Sequence, residues 1–194
     1  MKTDLRNVPL SDLSVEDGTR PQRPDLGAVA ANQRQSGKHL AAIHRHYLME
    51  MGRIAQVLRR IEAGDAPSTE LEHIVLNAEM TQNFRAFGTI CGQECKVLTM
   101  HHDIEEQSIF PQLHARGSEA MRAIVDRLRA EHLVVHELLE RLAAVAHDLA
   151  ASPDAAHFAE AGAIFDKLWE VVKSHFHYEE TTLEEALGFY GVMV

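Results

Sequence analysis

The chain has 194 residues, thirteen histidines and a formal net charge of −10. That length suits one domain with a core large enough to be stable without staples, and the acidic balance excludes the basic surface that nonspecific binding to nucleic acid or anionic lipid needs. No apolar run approaches the roughly 20 residues of a membrane span, and residues 1–17 hold no apolar stretch of the secretion-signal type, so a cytoplasmic protein is expected.

Residues 1–35 read as an N-terminal arm, partly disordered or strapped on the rest. They contain Pro9, Pro21 and Pro24 and show no helical apolar spacing. From Ser36 the pattern changes. Leu40, Ile43, Tyr47, Met51, Ile54, Leu58 and Ile61 recur every three or four residues, which predicts an amphipathic helix. Gly64-Asp65-Ala66-Pro67 stops it. Thr69 with Glu72 resembles a capping box for a second helical region over about 69–115. This region is long for one straight bundle helix, so a bend at Gly88 or Gly92, or a break near Met80–Gln82, is expected. Pro111 should kink or tighten its end. Cys91 and Cys95, four apart on a helix, project roughly parallel, a poor geometry for a disulfide, and read as two buried thiols. Arg116-Gly117-Ser118 is a turn, with Ser118 as N-cap. A third helix carries Met121, Ile124, Val125, Leu128, His132, Val135, Leu139 and Leu142 on one stripe. Ser152 and Pro153 sit where an N-cap and a first-turn proline belong. The fourth helix then runs from about Ala155 to Leu187, and Gly188 to Val194 form an apolar tail. Four long helices with short connections predict an all-α protein, an antiparallel up-down four-helix bundle over residues 36–194 with the N-terminal arm before it.

Acid and imidazole groups recur on each of these helices. Such groups are costly inside a bundle unless paired or bound to metal. The first helix offers His44, between Leu40 and Tyr47. The second offers two i, i+4 pairs, His101 with Glu105 and His102 with Glu106; such pairs share a face. His102 lies nearer the centre of the apolar stripe, so periodicity alone slightly favours His102 and Glu106. The third helix offers His132 and His136, and the fourth His175 with Glu179 or Glu180. His73, His114, His147 and His157 read as surface histidines, and His177 as outward or supporting. Tyr47, Tyr178 and Asp103 are candidates to orient ligand imidazoles.

These residues resemble the hemerythrin-like, HHE cation-binding family. The resemblance rests on Ile43-His44-Arg45, on His101-His102-Asp103-Ile104-Glu105-Glu106 running into Ile109-Phe110-Pro111, on Glu131-His132, and on His175-Phe176-His177-Tyr178-Glu179-Glu180. It covers about residues 38–187, and its motifs are specific in combination and weak one at a time. The resemblance implies His101 and Glu105 as the second-helix pair, against the periodicity. It implies the metal-ligand set His44, His101, Glu105, His132, His136, His175 and Glu179. It leaves His102 and Glu106 as alternates, and Glu180 as the choice if the spacing of true hemerythrins applied.

Imidazole and carboxylate without thiolate suit iron, manganese or zinc. The resemblance implies two non-haem, carboxylate-bridged iron ions ahead of manganese or zinc. The partner is then dioxygen or another small diatomic or peroxide ligand, with no nucleic acid, no membrane and a homodimer left open. The expected function is to bind or sense dioxygen, iron, or reactive oxygen or nitrogen species, in a stand-alone role. Enzymatic reduction of peroxide or nitric oxide, and a metal-free helical interaction module, are the alternatives.

Overall fold

A computed structural model describes residues 4–16, 18–63, 93–151 and 154–194. The expected helix stop at 64–67, the Thr69 capping box, the bend at Gly88 or Gly92 and Cys91 lie outside the described residues, and so does the side chain of Cys95. The described residues hold helices and no strand. None of these helices is long and apolar enough to cross a membrane.

Helix α1 spans Gln35–Glu62 and follows a single 3-10 turn, Ala31–Arg34. Its buried residues, Leu40, His44, Tyr47, Met51, Ala55 and Leu58, keep the three-to-four spacing of one helix face. Helix α2 is Gln93–Ile104. It passes into a π turn, Glu105–Ile109, and resumes as α3, Phe110–Arg116. Pro111 stands at the start of α3. It has no N–H with which to continue an α ladder, and the turn ahead of it is widened rather than tightened. Helix α4, Glu119–Ala151, starts where expected, with Ser118 Oγ accepting from Met121 N at 3.3 Å. Helix α5, Ala155–Phe189, is capped by Asp154 and not by Ser152, because the Asp154 carboxylate accepts from both Ala156 N and His157 N at 2.9 Å. Ser152 and Pro153 lie outside the described residues.

The apolar tail closes the fold. Gly191 takes φ +67°, a conformation free of strain only for glycine. It lets Val192 N donate to Leu187 O at 2.7 Å and Gly191 N to Gly188 O at 3.2 Å, a helix-ending motif that buries Val192. Helices α1 and α5 approach closely at one end. A Cβ on Gly37 would overlap the backbone of Glu184, and one on Gly188 would overlap the carbonyl of Gln33. Farther along, Gly52 faces the Trp169 ring.

The leading segment is packed on the bundle. Leu13 and Val15 are buried in the core. Arg141 on α4 donates to the carbonyls of Leu5 (2.9 Å) and Val8 (2.7 Å), and the Tyr178 hydroxyl donates to Pro21 O at 2.9 Å.

The core falls into two apolar clusters. One gathers Tyr47, Met51, Leu98, Val135, Leu142, Phe165, Leu168 and Phe176. The other gathers Leu40, Ile109, Phe110, Met121, Leu128, Tyr178, Leu183 and Leu187. Between them lies a layer of buried polar side chains: His44, His101, His102, Glu105, Glu131, His132, His175 and Glu179.

Candidate metal centre

The π turn decides what α2 contributes to this layer. One extra residue per turn shifts the phase of the helix, and such turns recur at functional sites. As a result His101, His102 and Glu105 are all buried, whereas Asp103 and Ile104 are exposed. Glu106 is left half-buried at the rim. The two histidines that periodicity and resemblance set against each other therefore both face inward.

The side chains form two groups whose potential ligand atoms lie within 4.8 Å of one another: His44, His101, Glu105 and Glu179, and beside them His102, His132 and His175. The carboxylates join the groups. Glu105 sets Oε1 3.2 Å from His101 Nε2 and Oε2 3.4 Å from His132 Nε2. Glu179 Oε2 lies 3.5 Å from His44 Nε2 and 3.8 Å from His175 Nε2. The Nε2 atoms of His44 and His101 face each other at 3.0 Å.

The outer ring nitrogens have partners of their own. His44 Nδ1 donates to Glu180 Oε1 at 3.1 Å, and His132 Nδ1 to Glu106 Oε1 at 3.0 Å. His175 Nδ1 donates to Glu131 Oε2 at 3.1 Å. His102 Nδ1 is paired with His136 Nε2 at 3.2 Å. Each such bond fixes a tautomer and aims the bare Nε2 at the centre. His136 thus stands behind His102 and outside both groups, and Glu180 stands behind His44. Of the orienting residues expected, Tyr47 packs its ring 5.5 Å from that of His101. Tyr178 bonds the leading segment, and Asp103 is exposed.

Aromatic rings close the layer on both sides. Phe176 stacks on His44 at 3.8 Å between centroids, and Phe110 lies 5.4 Å from the His132 ring. In these dry surroundings burial, with the neighbouring imidazoles, holds His101 down to about 2 and keeps His102 and His132 well below 6.5. All three are neutral and ready to ligate. Glu105 is pushed well above the usual carboxyl range, first by burial and then by the nearby Glu179. A dication between the two carboxyls would reverse that logic. Glu131 differs. Burial alone would raise it, but hydrogen bonds from His175, Arg20 and Arg127 hold it below its ordinary value.

The residues fit a metal by an independent sign. Buried polar atoms are hydrogen-bonded in nearly all proteins. Here His102 Nε2, His132 Nε2, His175 Nε2 and both oxygens of Glu105 and of Glu179 are buried without a hydrogen-bond partner. Among the described residues, the only other such atom is Arg34 Nε. Every one of these seven atoms points into the same layer of the bundle, and all are good donors to a cation.

A helical bundle that turns imidazoles and carboxylates from α1, α2, α4 and α5 on one interior point defines a metal-binding class of protein. The chain belongs to the hemerythrin family: the hemerythrin HHE cation binding domain matches residues 36–187. No curated protein and no solved structure shows significant similarity to it.

Two functional residues were hard to find in the sequence. His102 carried a signal, its place in the middle of the apolar stripe. Glu131 stood beside His132 in the motif, but nothing in the spacing showed that its carboxylate supports His175 on another helix.

Proposed function

We propose that this protein is a non-haem di-iron protein that binds dioxygen. His44 and His101 would hold one iron, and His102, His132 and His175 the other, with Glu105 and Glu179 bridging. The bundle would run antiparallel and up-down, as the meetings of α1 with α5 at residues 37 and 184 and at residues 52 and 169 suggest. The observation that carries this reading is the convergence of seven unpartnered buried donor atoms on one layer. Two carboxylates that each touch a histidine of both groups support a pair of cations over a single one.

Bound as a ferrous pair, iron supplies the electrons and the open position that dioxygen needs. The protein's share is positional. Phe110 and Phe176 exclude water, which strengthens each electrostatic contact inside. Glu106 and Glu180, each 32% exposed, hold the Nδ1 protons of His132 and His44 where solvent can reach them. They are the residues placed to relay protons between water and the centre.

The test is a reaction of anaerobic, iron-loaded protein with dioxygen, peroxide and nitric oxide in turn. A carrier or sensor takes up about one dioxygen per iron pair and oxidises slowly. Sustained turnover of peroxide or nitric oxide would replace this reading with an enzymatic one.

A further inference from the structure

Arg20 lies outside the stretch that matches the family, yet it reaches the outer wall of the metal centre. Its guanidinium grips Glu131 with two prongs, Nε to Oε1 at 2.8 Å and Nη2 to Oε2 at 2.9 Å. Its Nη1 donates to Ser174 Oγ at 3.0 Å, next to His175 in the chain. The guanidinium carbon sits 4.7 Å over the Tyr178 ring, whose hydroxyl holds the following carbonyl, Pro21 O. Arg127 adds a second cation to the same carboxylate at 2.8 Å and ties it to Val15 O at 2.6 Å. Glu131 in turn holds His175 Nδ1 at 3.1 Å.

The three carboxylates behind the histidines are thus unlike. Glu106 and Glu180 are each 32% exposed, whereas Glu131 is 1% exposed and clamped by two guanidiniums. A two-pronged guanidinium fixes a carboxylate in plane and in distance, as an ammonium cannot. That carboxylate decides the ring angle of His175.

We propose that Arg20 is a positioning residue for the metal held by His175: acting through Glu131, the leading segment forms part of the outer coordination sphere. The inference rests on His175 being a metal ligand. It adds that residues 15–21 and the metal centre are coupled, so that lifting the segment loosens His175.

The experiment uses the full chain loaded with Co²⁺, whose visible bands report ligand geometry. It compares the wild type with R20A, R20K and R23A; Arg23 pairs with Glu185 at the surface and serves as a control. Outer-sphere changes weaken metal sites about 10–100-fold. With Arg127 still in place, R20A is expected at the low end, releasing cobalt to a chelator about 10-fold faster, with shifted visible bands. R20K should fall between it and the wild type, and R23A should match the wild type. Faster release with an unshifted spectrum would make Arg20 a structural strap and overturn the proposal, as would R20A behaving like wild type. If R20A does not fold, R20K decides, and misfolding of both overturns it. A wild type that takes up no cobalt overturns the metal reading itself, which separates that failure from this one.

Discussion

His102 and His136 make the sharpest comparison at the scale of single residues. His102 is fully buried with a bare Nε2, and His136 is only its Nδ1 partner. H102A is therefore expected to lose about one metal equivalent per chain. H136A should keep both and bind them about 10–100-fold more weakly. Metal analysis after equilibrium dialysis checks both; equal loss of stoichiometry in the two variants would contradict the geometry. The same burial sets a pH dependence in metal-free protein. His101, held down to about 2, and His102 and His132, held well below 6.5, stay neutral while the unfolded chain takes up protons. Their folded pKa is depressed, so stability falls as pH drops below about 6.5 and goes on falling toward pH 2. Glu105 acts in the opposite sense: its raised pKa makes stability fall as pH rises above about 4.5. Glu131, held low, adds to the acid side below its ordinary value. Below about pH 4.5 only losses remain, each neutral imidazole contributing about 1.4 kcal/mol per pH unit. Urea midpoints across that range check this, and a flat profile would contradict it.

The π turn is the decisive element. An α-helix advances about 100° per residue, so one inserted residue rotates everything before it against everything after it. Deleting the exposed Gln107 should convert Glu105–Ile109 to an ordinary α turn. His101, His102 and Glu105 would then swing away from α4 and α5. Metal binding is expected to vanish while circular dichroism still reports a helical protein; full metal binding by the deletion would contradict the role given to the turn. This element also shows where the sequence stopped being legible. The buried face of α1 and the Ser118 cap follow directly from apolar spacing and turn chemistry, because both are local. The α2 histidines do not. A 3.6-residue periodicity assumes an unbroken α ladder, so it set His102 against His101 as rivals and looked for the phase shift at Gly88 or Gly92. The shift lies instead just ahead of Pro111, where no residue type announces it. Asp154 was likewise passed over for Ser152 because both residues cap helices well. Arg20 had no local signal at all, since its partners Glu131 and Ser174 lie 111 and 154 residues away.

Across the whole molecule, a costly polar layer is held between two apolar clusters, and one end of the bundle is tightly fitted. Gly37 and Gly188 let backbones pass where a Cβ would strike the backbone of Glu184 or Gln33. Backbone cannot move aside as a flexible side chain can, so G37A should destabilise the fold by about 1–3 kcal/mol, with loss of thermal midpoint as the readout. The polar layer has the opposite character, because its cost disappears when a cation enters. A metal that binds only the folded chain stabilises it by about 4 kcal/mol at a thousandfold excess over Kd. The most direct measurement is iron content, together with the thermal midpoint and visible spectrum of anaerobically reduced and then air-exposed protein. The account predicts two irons per chain, a midpoint that drops on chelation, and a new visible band on exposure to air. One zinc or no metal, with a midpoint indifferent to chelator and no spectral change, would contradict it and leave a helical bundle that works by interaction alone.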